Sequence, residues 1–170
     1  MNKKTLITLA MAMMIVLTCQ AASAAQPTSL TALESFEQCN INTDATLLDG
    51  KDRYGGIYTA CLGPRDDSGY IEYLLNREYT WLQTVLYVTG ADLNPYYDYY
   101  WDYAACRIYG DEQLLFDMTG IDPKAEPQWL NLNVCGVRFL RIEFDKAAYF
   151  NTGAGRPLVL LGNPALVRDP

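Results

Sequence analysis

The chain has 170 residues, half of them hydrophobic, with 13 basic residues, 20 acidic residues and no histidine. A net charge of −7 disfavours phosphate backbones and anionic membrane surfaces as partners. The absence of histidine excludes Ser–His–Asp and Cys–His catalysis and removes a common zinc ligand.

The first residues read as an export signal. Lys3 and Lys4 precede an apolar run from Leu6 to Leu17, and Ala22-Ser23-Ala24 supplies small residues for cleavage after Ala24. The run is shorter than the roughly 20 residues that a membrane-spanning helix needs, so no transmembrane segment is expected after cleavage. Leu17-Thr18-Cys19 offers a lipidated cysteine as the alternative, disfavoured because Thr is bulkier than the residue usual before such a cysteine. Cleavage leaves 11 basic against 20 acidic residues, a net charge near −9, on about 146 residues, one domain's worth. The expected location is outside the cytoplasm: extracellular, periplasmic or on the cell surface.

Four cysteines remain, Cys39, Cys61, Cys106 and Cys135. An even number in an exported chain predicts two disulfides, and proximity in sequence favours Cys39–Cys61 with Cys106–Cys135. No CxxC pair is present, and no metal site is expected.

Residues 25–42 read as an N-terminal arm. Leu30, Leu33 and Phe36 recur at three-residue spacing behind Ser29, which predicts a short capped helix packed on the domain. Residues 43–170 read as a β-domain. Strands are predicted within 44–54, over 57–62, 70–75 and 79–89, and a closing strand over 157–161 and 165–167 is broken at Gly162-Asn163-Pro164. Between them, alternation governs residues 104–145. Ile108, Leu114, Phe116, Leu132, Val134, Leu140, Ile142 and Phe144 are predicted to face inward, and Arg107, Asn131, Asn133, Arg141 and Glu143 outward. The fold class is all-β, a jelly-roll sandwich of about eight or nine antiparallel strands.

The same stretch resembles the NPCBM family of carbohydrate-binding modules. Gly110, Asp111, Leu114 and Leu115 follow the family's turn and strand, and Val134, Gly136, Val137, Leu140 and Ile142 its next pair. Upstream, Leu75, Asn76, Tyr79 and Leu82 are similar to a further strand pair, so the resemblance runs from about Asp49 to Val167. It implies a galactose-binding-like β-sandwich and a carbohydrate or glycan as partner.

One stretch departs from that pattern. Tyr96, Tyr97, Asp98, Tyr99, Tyr100, Trp101, Asp102 and Tyr103 place six aromatics in eight positions, with two carboxylates between them. Rings with polar tips offer an apolar face and hydrogen bonds together, which suits a sugar. Packing against the sandwich and contact with another protein, such as one of the cell envelope, are the competing readings.

Other clusters carry less. Asp66-Asp67-Ser68-Gly69 could gather oxygens around a calcium ion, but it lacks the spacing of a calcium loop and reads as a solvated turn; no cofactor is expected. Asp111 and Glu112 are adjacent on a turn, where side chains point apart, and Asp111 reads as a turn residue. Glu72 and Glu143 read as solvent-facing charges. The function expected is that of a secreted, non-catalytic glycan-binding module, with a cell-envelope interaction protein as the alternative.

Overall fold

In a computed structural model, residues 26–43, 50–65, 68–89, 104–145 and 159–168 are described. They form eleven strands in chain order: β1 (Thr28–Ser29), β2 (Glu37–Cys39), β3 (Ile41–Asn42), β4 (Cys61–Pro64), β5 (Gly69–Leu74), β6 (Trp81–Val88), β7 (Ala105–Gly110), β8 (Gln113–Thr119), β9 (Gln128–Asn133), β10 (Phe139–Asp145) and β11 (Val159–Val167). All pairs are antiparallel. One sheet runs β3-β4-β11-β6-β9, with β1 also on β11, and the other runs β2-β5-β10-β7-β8. No helix among the described residues is long and apolar enough to cross a membrane.

The all-β sandwich follows from the alternation. Ile71 and Tyr73 of β5, Cys106 and Ile108 of β7, and Leu140, Ile142 and Phe144 of β10 point to the inside of the five-stranded sheet. Leu82, Leu86 and Val88 of β6, Leu130 of β9, and Val159, Leu161 and Leu166 of β11 meet them from the six-stranded sheet. Each fully buried Leu or Ile contributes about 1.5–3 kcal/mol, and together they bind the two layers.

Of the residues expected inside, Ile108, Val134, Leu140, Ile142 and Phe144 are buried, and Phe116 and Leu132 pack half-buried against the core. Leu114 is a correction: it is 49% exposed. The β7–β8 register shifts, pairing Ile108 with Phe116 but Tyr109 with Leu114. This bulge inserts Leu115 as an extra residue, and a one-residue slip reverses facing. Leu115 therefore takes the inward position that strict alternation gives to Leu114.

Three further expectations change. The arm forms a single 3-10 turn over Leu30–Ala32, with no side-chain cap from Ser29. Leu30 is buried, but β1 and β2 flank the turn and join opposite sheets, and this pairing prevents a longer helix. The break at Gly162-Asn163-Pro164 is a bulge inside one continuous β11. Asn163 sits there at φ 47°, and its Oδ1 accepts the N–H groups of Thr59 and Ala60 at 3.0 and 3.1 Å.

The third correction is that no disulfide joins Cys39, Cys61, Cys106 or Cys135. The fold separates the expected pairs. Cys39 is exposed on the edge strand of the five-stranded sheet, whereas Cys61 is buried on the outer face of the six-stranded sheet in a small cluster with Val85, Tyr87 and Leu160. Cys106 is buried in the main core, whereas Cys135 is exposed on the turn after β9. Burial pushes the Cys106 thiol well above its usual pKa.

Tyr58 closes that outer cluster. Its ring stacks on Tyr87 at 4.2 Å and lies where a Cβ on Gly162 would approach within 2.4 Å of it. Its hydroxyl donates to Asp52 Oδ2 at 2.7 Å, while Asp52 Oδ1 accepts from the N–H groups of Tyr54 and Gly56. Burial pushes the Asp52 carboxyl up, but these hydrogen bonds outweigh it and leave the group below its usual range.

Candidate functional site

The outward positions of the five-stranded sheet carry charges and rings. Register sets Glu72, Arg141 and Tyr109 side by side across β5, β10 and β7. The next row holds Tyr70, Glu143 and Arg107, with Asp117 beyond on β8. The rows are cross-linked. Arg141 Nε donates to Glu143 Oε1 at 2.6 Å, and its guanidinium lies 3.9 Å from the centre of the Tyr70 ring. Arg107 Nε lies 3.3 Å from Asp117 Oδ1, and the Tyr70 hydroxyl donates to Glu37. Cation–π and carboxylate contacts together fix Arg141 in place, and the bond through Nε leaves its terminal amino groups as donors.

At one end of this face the turns rise into a rim. Asn76 and Arg77 (φ 53° and 63°) connect β5 to β6, and Asp111 and Glu112 (φ 48° and 69°) connect β7 to β8. Two consecutive left-handed residues make the tight turn that matches strand twist, and Asn and Asp tolerate it best. The Asp111 carboxylate accepts the N–H groups of Arg138 at 3.0 Å and Phe139 at 2.8 Å. Those bonds hold its carboxyl below the usual range, with help from the Arg77 and Arg138 charges against a small burial effect. Asp111 is thus engaged in pinning the β7–β8 turn to the start of β10.

Phe139 supplies an apolar wall. Its ring centre is 5.2 Å from that of Phe36, which is 61% exposed, and the Arg138 guanidinium lies 5.0 Å over it. Floor, rim and wall enclose an open groove of about 670 Å³, lined by Glu72, Tyr109, Arg141 and Glu143 below, Arg77, Asp111, Glu112 and Arg138 around, and Phe139 at the side. It presents guanidinium donors, carboxylate acceptors and a ring face to one ligand volume.

The expected residues Tyr96, Tyr97, Asp98, Tyr99, Tyr100, Trp101, Asp102 and Tyr103 lie outside the described residues, as do Asp66 and Asp67. Glu72 and Glu143 face solvent as expected, but they do so within the groove. Sequence reasoning missed Phe36, Arg77, Arg138, Phe139 and Arg141 as a group. The available signal was that the outward positions of β5 and β10 mix rings with charges of both signs, as Tyr70, Glu72, Phe139, Arg141 and Glu143. Among the described residues, no three Cys, Asp or Glu side chains converge as metal ligands do.

No protein-family model and no curated protein matches this sequence. Solved structures do. The CBM51 module of Clostridium perfringens GH95, solved with methyl-galactose, matches at TM-score 0.57 and 14% identity, over 84% of this chain and 100% of that one. The two-sheet β-sandwich of this chain is similar in fold to that module. The tandem CBM51 modules of Sp3GH98, a family 98 glycoside hydrolase of Streptococcus pneumoniae, match at TM-score 0.63 and 14% identity, over 84% of this chain and 47% of that one. CBM51-2 with the INT domains of Clostridium perfringens ZmpB, solved with GlcNAc, matches at TM-score 0.57 and 11% identity, over 85% of this chain and 32% of that one. This chain therefore spans about half and about a third of those two longer chains. At such identities the likeness establishes the fold, the galactose-binding-like β-sandwich, and ligand chemistry has to be argued from the side chains here.

Proposed function

We propose that this chain is an exported, non-catalytic carbohydrate-binding protein related to the NPCBM family, and that it holds a glycan in the groove of its five-stranded sheet. The observation that carries the reading is the convergence of the Phe139 ring, packed against Phe36, with the Arg138, Arg141 and Glu72 side chains on one open volume. A sugar lays its C–H face on a ring and hands its hydroxyls to charged groups, whose hydrogen bonds are the stronger kind. A volume of about 670 Å³ lies in the usual range for small-ligand sites. The likeness to CBM51 modules solved with methyl-galactose and GlcNAc supports a sugar of that size. Tyr96–Tyr103 is proposed, on composition, as a second contact for the same glycan.

A glycan array probed with the chain lacking residues 1–24, beside its Phe139→Ala and Tyr100→Ala/Trp101→Ala variants, tests the reading. Phe139→Ala is expected to weaken binding about tenfold, the scale of one lost aromatic contact. Binding to no glycan, or equal binding by Phe139→Ala, would overturn it. Retained affinity in the double variant would remove the aromatic stretch from the site.

A further inference from the structure

The outer face of the six-stranded sheet carries a second array, independent of the groove. Register pairs Val85 with Trp129, Gln83 with Asn131 and Trp81 with Asn133 across β6 and β9. Trp129 is 80% exposed, the most exposed large hydrophobic side chain among the described residues, and Trp81 is half-buried. Between the two indoles, Gln83 Nε2 donates to Asn131 Oδ1 at 3.3 Å. That bond leaves the Gln83 carbonyl as an acceptor and the Asn131 amide as a donor. No outward side chain of β6 or β9 is charged, in a chain where 19% of residues are. β9 is also an edge strand, and such strands ordinarily carry Lys, Pro or a bulge to deter pairing.

We propose that this strip is a second glycan-binding surface, for an uncharged polysaccharide chain laid diagonally across β6 and β9. Trp81 and Trp129 are offset by four residues and one strand, about 14 Å at the usual strand rise and spacing. A short oligosaccharide covers that span and a single sugar does not. Two indoles offer stacking platforms, and the amide pair between them offers one donor and one acceptor to hydroxyls. The lack of charge selects a neutral ligand, because a sulfated or uronic chain gains no counter-charge here and remains opposed by the net negative protein.

Native affinity electrophoresis of the full chain in gels containing hydroxyethyl cellulose, galactomannan or arabinogalactan tests this surface. Retardation by at least one of the three is expected, unchanged between low and high salt because no charges engage. Trp129→Ala is expected to weaken it at least tenfold and Trp81→Ala to weaken it as well, in the wild-type chain and equally in a Phe139→Ala background that removes the groove's contribution. Failure of the groove shows instead on the glycan array with Phe139→Ala, so the two readings fail separately. Three results would overturn the proposal: retardation by none of the gels, equal retardation of Trp129→Ala, or a wild-type dimer that Trp129→Ala converts to a monomer.

Discussion

The two outer faces of the sandwich rest on one core and present opposite chemistry. Over β5, β10 and β7, outward residues pair charge with charge and ring with guanidinium, as in Arg141 with Glu143 and Tyr70. Over β6 and β9 the outward residues are Trp, Gln, Asn, Val and Tyr, and an amide–amide bond links Gln83 to Asn131. The same period-two alternation built both, since it specifies only what faces inward. Outward positions are free to vary, and the contrast between the faces is where specificity for ligands can be written.

The core beneath both faces offers the largest test. Ile142 is fully buried at the centre of β10, and Ile142→Ala should cost about 2–5 kcal/mol through lost burial and a cavity. Denaturant melts followed by Trp fluorescence and by far-UV circular dichroism should shift together. A selective loss on one side would mean that the two sheets are separate folding units.

A smaller effect belongs to the charged face alone. Asp111 has a folded-state carboxyl below its usual value, so its contribution is present above the unfolded pKa of about 3.9 and is lost as pH falls through the folded value. Because the group is exposed, the contribution is modest. Asp111→Ala should cost about 1 kcal/mol at neutral pH, the scale of its hydrogen bonds. The gap to wild type should close in melts taken below about pH 4; a gap independent of pH would assign the loss to turn geometry.

Tyr73 lies under that same face with 1% exposure, and its hydroxyl has no hydrogen-bond partner among the described residues. Burial raises its pKa well above the usual phenol value. Tyr73→Phe should therefore stabilise the fold, by about 0.5–1 kcal/mol, by removing a desolvated polar group. A loss of stability on thermal melting would reveal a hydrogen bond to the hydroxyl.

The smallest expected change is on the neutral face. Trp129→Ala should lie within about ±0.5 kcal/mol, because an exposed ring contributes little to folding. A larger cost would make the strip structural, and the contrast between the faces would lose its functional meaning.

Much of this was legible in the sequence where facing was set by burial. Ile108, Leu140, Ile142 and Phe144 turned inward, and Arg141 and Glu143 outward, as alternation requires. Leu114 misled because a bulge changes parity without changing composition; nothing in DEQLLF announces which Leu is the extra one. The groove was half legible, since Glu72 and Glu143 were placed at the surface. Phe36 and Phe139 are about a hundred residues apart, and only the β2–β5–β10 pairing brings their rings together. The cysteines misled for a related reason: proximity along the chain says nothing about which sheet, or which face of it, receives each thiol.

Strand β11 has a consequence for the order of assembly. It is the last of the described strands in sequence order, yet it sits in the middle of the six-stranded sheet, between β4 and β6, and also pairs with β1. Thr28 faces Leu166 across that ladder, a loop closure between residues 138 positions apart. Such distant pairings make folding slow, and here they make it late, because β6 lacks a neighbour on one side until residues 159–167 have been synthesised. Until then the nascent chain exposes Leu82, Leu86 and the unpaired backbone of β6, the kind of edge that captures other chains. A circular permutant that joined the ends beside Thr28 and Val167 and opened elsewhere would place β11 early, and should fold faster with less aggregation.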